Sequence, residues 1–373
     1  RLAGAPIELS DARFAERAGA AVLETDFAAS NFTLDREHLT MFLDPATVAV
    51  LLDKRGLRGA VDIAQARLEL VGAAGREGSV QFSGEITPRD LQLDLGLPLA
   101  IDSGLVRVEE LRYAQGAVRA RASLENIRGR IAERELGPSR IELEYDDPTL
   151  TVRDVLGEFV GGRLTRLDPR GELPAFQLEL RDPFAFRLGL ALERSDVGAL
   201  LAGLFESDFA TRGRMSARVE LSGDLDRMSD IRGQGRVSLS DSNLWSVPVV
   251  RDLVSQFGLE AKSALFDSIQ SRFSVESGEV RMSELEIASP YFGVSGSGVL
   301  DFDGSLRHEF EVRNRVVNLL GPIKNVLYRV AIRGDMARPR VETYGVLGAT
   351  FSEPKRGRRE LPLPALTPLP QRF

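Results

Sequence analysis

His38 and His308 are the chain's two histidines, and a Ser-His-Asp arrangement would need one of them as its base. His308 stands in an alternating stretch beside Arg307 and Glu309, which reads as a solvent-facing strand position. No cysteine is present, which removes thiol nucleophiles, disulfides and thiolate metal sites together. Two histidines far apart in sequence argue against a histidine-rich metal site. Gly293-Val294-Ser295-Gly296-Ser297-Gly298 has the small residues of a nucleophile elbow without its Gly-x-Ser-x-Gly register. It also lacks the following helix that a phosphate loop needs, so it reads as small residues in paired strands. Asp301-Phe302-Asp303-Gly304 begins like a calcium loop, but no ligands follow at the required spacing and no Glu stands twelfth. A hairpin turn is the simpler reading there, as it is for Asp146-Asp147 before Pro148. The residue types therefore point away from an enzyme, with no catalytic residue, no metal and no cofactor expected.

The elements around these residues are mostly strands. Apolar residues fall on every second position in Arg214–Leu221, in Arg236–Leu239 and in Leu306–Val312. Such strands have one apolar and one polar face. Ser222-Gly223-Asp224, Ser277-Gly278, Asp301–Gly304 and Arg333-Gly334-Asp335 mark turns, with a spacing of about 8–12 residues that fits a meandering antiparallel sheet. Three short helices interrupt it. Asp44-Pro45 supplies an N-cap and a first-turn proline for a helix near 45–54. Asp196 opens a second near 196–205. A third is expected at 247–257 after Trp245, with Val249, Leu253 and Phe257 along one face as an end cap.

A thirteen-residue pattern occurs twice. Residues 101–113 and 275–287 share Ser103/Ser277, Gly104/Gly278, Val106/Val280, Arg107/Arg281, Glu110/Glu284 and Leu111/Leu285. Both copies read as strand, Ser-Gly turn, strand. Repetitive β arrays present long continuous surfaces rather than one catalytic pocket. The expected division is a β-rich repeat unit over 1–174, a second over 175–345, and a tail over 346–373. The tail carries five prolines and the basic cluster Lys355, Arg356, Arg358 and Arg359, and is expected to be extended and disordered.

With 373 residues, 43% hydrophobic and 28% charged, the chain has enough apolar content for a sizeable core. The net charge of −7 argues against a nucleic-acid partner. No stretch approaches the roughly 18 apolar residues of a membrane span. The chain starts at Arg1, which leaves room for an upstream signal or anchor.

From about Gly223 to Val341 the sequence resembles the C-terminal region of the bacterial AsmA-like superfamily, which also contains the TamB-type proteins. The features that carry the resemblance stand in order. Arg232-Gly233-Gln234-Gly235 precedes the strand Val237–Leu244 and then Leu244-Trp245-Ser246-Val247-Pro248. Phe273–Val280, Ile287-Ala288-Ser289-Pro290, Val294–Asp301 and Ile332-Arg333-Gly334-Asp335 with Pro339 follow. Residues 40–130 look like an upstream unit of the same superfamily. The resemblance implies an elongated, curved antiparallel β-sheet in the envelope of a diderm bacterium, reaching into the periplasm from an inner-membrane anchor. Family members look like bridge-like lipid-transfer proteins whose concave apolar face shields acyl chains. This sequence departs from them in lacking the anchoring helix and in being short, so the anchor would lie on a segment outside it.

Alternation places Phe273, Val275, Val280, Met282, Leu285 and Ile287 on one apolar face with Phe292, Val294, Phe310 and Val312. These ten are the candidate lipid-binding residues. The pattern itself leaves open whether that face is a closed core or an open groove; the resemblance favours the groove. An acyl chain of about 16 carbons costs on the order of 12 kcal/mol to bring into water, which only a continuous apolar trough offsets. The leading expectation is an envelope protein that binds or conducts phospholipid or another lipid between inner and outer membranes. The alternative is a periplasmic assembly factor that guides outer-membrane proteins by strand pairing at a sheet edge.

Overall fold

A computed structural model describes residues 7–17, 20–40, 43–73, 76–202, 212–242, 266–289, 292–314, 327–335 and 338–345. Strand makes up 77% of them and helix 7%, in nineteen antiparallel β-strands with a few short helices. The chain divides into two compact units. The first is built chiefly from Arg1–Leu190 and Ser222–Asp226, the second from Ala191–Leu221 and Arg227–Arg372. The expected 247–257 helix and the tail from 346 lie outside the described residues.

In the first unit, β1 (Ile7–Arg17), β2 (Ala20–Thr33), β3 (Arg58–Ala73), β4 (Arg76–Asp94), β5 (Pro98–Ala114), β6 (Ala117–Ile131), β7 (Arg134–Asp146) and β8 (Thr149–Phe159) pair each with the next. The short strands β9 (Gly162–Arg166) and β10 (Phe176–Glu179) both pair with β8, and β10 also pairs with β11 (Ala185–Asp196). The second unit holds most of β12 (Arg214–Asp224), then β13 (Arg227–Ser242), β14 (Phe266–Glu276), β15 (Glu279–Ala288), β16 (Phe292–Asp301), β17 (Ser305–Asn314), β18 (Leu327–Asp335) and β19 (Arg338–Gly345). From β13 to β19 each strand pairs with its successor.

Many of these strands are longer than simple alternation allows, and bulges are the reason. In β3 the apolar side runs Val61, Ile63, then Ala66, Leu68, Leu70, so its parity switches. The switch falls at Gln65, which has φ 50° and sits in a register shift. Asn31 in β2, Asp90 in β4 and Asn126 in β6 do the same at φ 53°, 50° and 53°. One extra residue in a left-handed conformation absorbs the change of parity and keeps the apolar side chains on one face. Bulges also bend a strand and strengthen its twist.

The repeated pattern carries such a bulge in both copies. β15 shifts register between Met282 and Leu285, at Glu284 with φ 53°. β5 shifts between Val108 and Leu111 against β4, at the equivalent place. The Ser-Gly pair, however, plays two roles. Ser277 and Gly278 have φ 54° and 78° and form the two-residue hairpin turn between β14 and β15. Ser103-Gly104 does not turn: it lies inside β5, against expectation. There a Cβ on Gly104 would stand 2.4 Å from Ile127 Cδ1, so the glycine admits a side chain instead of reversing the chain. Ser222-Gly223-Asp224 likewise lies in β12, and the turn follows at Leu225-Asp226.

Three α-helices are described. α1 (Arg36–Leu39) was not legible in the sequence. α2 (Pro45–Ala49) begins as expected, with the Asp44 carboxylate accepting from Ala46 N (2.9 Å) and Thr47 N (3.1 Å), but from Val50 to Lys54 it relaxes into a π-turn. α3 (Val197–Leu201) is capped by Asp196.

The first unit's sheet curls. Arg55 accepts from Asp94 N at the end of β4 through its carbonyl, while its guanidinium stacks 4.5 Å over Phe184, between β10 and β11. In a flat sheet β4 and β10 lie five strand spacings apart, about 24 Å. Leu225 also comes within 3.1 Å of where a Gly96 Cβ would sit. One side chain cannot reach across a flat sheet, so the unit must curl to bring these strands together.

Candidate apolar binding face

Register carries the apolar residues of the second unit into rows across the strands. One row runs Phe273, Met282, Gly298, His308, Ile332 from β14 to β18. A second runs Val275, Val280, Leu300, Leu306. Leu285, Gly296, Phe310 and Val330 form a third, and Ile269, Ile287, Val294 and Val312 a fourth. Residues directly opposite in a ladder share a face, so nine of the ten expected residues lie together. For Phe292 only the backbone is described, two positions before Val294 in β16. The bulge at Glu284 is what joins the set: without it the odd-numbered Leu285 and Ile287 would face away from the even-numbered Val280 and Met282.

Burial is graded along this face. Val275, Val294, Phe310 and Val312 are buried, whereas Phe273, Val280, Met282, Leu285 and Ile287 are half-buried. Three rings lean over glycines of a neighbouring strand. A Cβ on Gly235 would meet the Phe273 ring at 2.3 Å, one on Gly296 the Phe310 ring at 2.7 Å, and one on Gly298 the His308 ring at 2.3 Å. The run Gly296-Ser297-Gly298 is thus explained by packing. Rings that lie along a sheet fill its grooves without standing up from it.

His308 corrects the sequence reading. It is buried rather than solvent-facing, stacked 5.8 Å from Phe310 with ring planes 15° apart. Its register partners are Gly298 and Ile332, so the imidazole sits in apolar company, and burial pushes its pKa below the usual histidine value. The signal was in the sequence: Leu306, His308, Phe310 and Val312 share one parity.

The first unit builds the same kind of face from residues that the sequence reading did not single out. Ile63, Ile86, Val106, Leu124 and Ile141 form one row from β3 to β7. Leu68, Phe82, Leu111, Ala120, Tyr145 and Leu150 form another from β3 to β8. Ile63, Ile86, Val106, Ile141, Leu68, Leu111 and Leu150 are only half-buried. At the edge strand β1, Leu9 and Phe14 stand opposite Phe27 and Leu23 and are 67% and 78% exposed.

The opposite faces are charged. In the first unit ion pairs cross strands at Arg17–Glu24 (2.8 Å), Asp26–Arg67 (3.3 Å), Glu85–Arg107 (3.3 Å), Arg107–Glu125 (3.3 Å) and Glu144–Arg153 (2.6 Å). The second unit has Arg272–Glu284 (3.1 Å), Glu311–Arg329 (3.6 Å) and Glu309–Arg333 (3.7 Å). Such exposed pairs add little stability each, with a median of about 0–1 kcal/mol, but they fix which face meets water.

Polar groups gather where the α2 segment meets the first unit. The Tyr145 hydroxyl, close to Thr47, donates to Asp147 (3.3 Å), and Asp147 also takes a bond from Arg181 (2.9 Å). Burial, then the nearby Asp147 carboxylate, push the Tyr145 hydroxyl up to about 12, so it stays protonated. Burial alone would raise Asp44, but its hydrogen bonds with Thr47 and Ala46 outweigh that and lower its pKa. Among the described residues no three His, Asp or Glu side chains cluster as metal ligands, and no helix is long and apolar enough to cross a membrane. No protein-family model, no curated protein and no solved structure matches this chain.

Proposed function

We propose that this chain is a non-catalytic module of a bacterial cell envelope, whose apolar β-face binds or conducts lipid between inner and outer membranes. Its place would be the periplasm, anchored to the inner membrane through a segment outside this sequence. The observation that carries the reading is the contiguity of half-buried apolar side chains across successive strands of each unit. Packed cores bury such residues fully, and ordinary surfaces scatter them singly. A ribbon apolar on one side and ion-paired on the other suits a ligand that is apolar along its whole length. The resemblance of its ordered motifs to those of the AsmA-like superfamily points to the same assignment.

One feature favours a second reading, an assembly factor for outer-membrane proteins. β1 pairs only with β2 among the described residues, and an edge strand with exposed apolar residues is a template for strand addition.

Native mass spectrometry of gently purified protein separates the two. Copurifying phospholipid supports the lipid module; crosslinks to unfolded barrel strands without lipid support the assembly factor. Met282→Asp sharpens the test, because Met282 is half-buried at mid-face. Loss of bound lipid with an unchanged circular dichroism spectrum is the expected result. Wild-type protein that never holds lipid would sink the lipid reading.

A further inference from the structure

The segment Asp44–Leu57 is not needed to make the sheet. β2 and β3 pair up to Thr33 and Ala60, and Leu34 N donates to Gly59 O at 3.1 Å, so the strands could be joined by a short turn. Instead the chain leaves the sheet and crosses to its far side, where it meets Tyr145, Phe184 and Asp226. Tyr145 belongs to an apolar row of the first unit. The segment therefore lies against one of the apolar rows of the first unit.

Its seat joins a polar latch to partial apolar packing, with Ala49, Val50, Leu51, Leu52 and Leu57 half-buried. Arg55 donates to Asp226 at 3.0 Å and Lys54 stands 3.6 Å from the same carboxylate, with both cations over the Phe184 ring at 4.5 Å. Thr47 lies close to the Tyr145 hydroxyl, and Arg55 Nε, though buried, has no hydrogen-bond partner. Val48 is the segment's fully buried apolar anchor. Water can replace the polar contacts of this seat. The segment also has little cohesion of its own: five α-helical residues and a five-residue π-turn are too short to persist unseated. At its end Gly56 has φ 60° with nothing within 4 Å of where a Cβ would be, and Gly59 has φ 131°. Gly56 gives the segment a place to swing, while Gly59, packed against the β4 backbone, holds the start of β3 fixed.

We propose that Asp44–Leu57 is a movable cover over the apolar face of the first unit, latched by Arg55 and Lys54 on Asp226 and Phe184. It opens to admit an acyl chain and closes over the empty face; this role rests on the lipid reading above, while the opening itself does not. The cover exposes the face only when a ligand repays the loss of the latch.

Hydrogen exchange of the full chain tests the opening. Amides of 46–55 should exchange at least tenfold faster than those of β6, and Asp226→Asn should speed them further without changing β6. Equal protection of the segment and β6 would overturn the cover. Because the chain has no native cysteine, Lys54→Cys with Asp226→Cys offers the sole pair for a short bismaleimide. Uptake of a fluorescent phospholipid from palmitoyl-oleoyl phosphatidylglycerol vesicles should fall at least tenfold on crosslinking, relative to the same variant capped with N-ethylmaleimide. Undiminished uptake by the crosslinked protein refutes the gate. If wild type takes up no lipid, the lipid reading fails, and the exchange comparison alone decides whether the segment is a movable cover.

Discussion

Deleting Glu284 from β15 and deleting Glu309 from β17 remove the same residue type from exposed strand positions, yet the two deletions should have opposite consequences. Glu284 is the extra residue of a bulge. Opposite Ser283-Glu284-Leu285, the flanking strands β14 and β16 each have one residue fewer. Removing it returns β15 to plain alternation, with Val280, Met282, Leu285 and Ile287 still on the apolar face. The deletion loses an exposed pair with Arg272, about 0–1 kcal/mol, and relieves a left-handed non-glycine residue, about 1–2 kcal/mol. Net stability should change by no more than about 1 kcal/mol. Glu309 stands in β17, which pairs with β16 and β18 without a bulge. Its removal shifts everything beyond it by one position and turns either Phe310 and Val312 or Leu306 and His308 onto the charged face. Phe310 and Val312 are buried, and exposing each costs roughly 1.5–3 kcal/mol, so about 3–6 kcal/mol together. That loss is comparable to the whole stability of an ordinary domain, about 5–15 kcal/mol. Urea denaturation followed by far-ultraviolet circular dichroism measures both. If the two deletions destabilise equally, the bulge is not what reconciles the sequence parity with the face, and the register account is wrong.

His308→Leu should flatten the acid limb of the stability profile. Burial holds the folded pKa below the unfolded value of about 6.5, so the neutral ring's contribution is complete above that value. In wild type it falls as pH drops from there toward the folded pKa, and denaturant melts between pH 5 and 7.5 would reveal an unchanged slope if the ring were solvated. Asp44→Ala should cost about 0.5–2 kcal/mol at pH 7 through loss of the α2 cap. Because the Asp44 pKa is depressed, its contribution is present above its unfolded value of 3.8 and disappears as pH falls through the folded one, so variant and wild type should converge in strong acid. Leu178→Ala, at a fully buried position of β10, should cost about 2–5 kcal/mol, and a calorimetric midpoint equal to wild type would show that the broken β9–β10 strand is not part of the first unit's core.

Much of this protein is written locally. Alternation along Leu306–Val312 and Arg214–Leu221 identifies strands, Ser277-Gly278 and Asp301–Gly304 identify hairpin turns, and Asp44-Pro45 identifies a helix start, because each depends on neighbours in sequence. The nine described residues of the candidate face were recognised for the same reason. What the sequence left open depends on partners far away. Ser103-Gly104 and Ser277-Gly278 are the same dipeptide, but only the second reverses the chain; the first stays within β5, where Ser103 pairs with Arg128 of β6 and Gly104 makes room for Ile127. Parity switches at Gln65, Asn126 and Glu284 look like breaks between short strands until the ladders on either side reveal bulges in long ones. His308 looked polar because Arg307 and Glu309 flank it, and only its register with Gly298 and Ile332 makes it a buried ring. The curl that brings Arg55 from β4 to Phe184 is invisible in any window of the sequence. It arises from twist and bulges accumulated over many strands, a property of the assembled sheet rather than of any one segment.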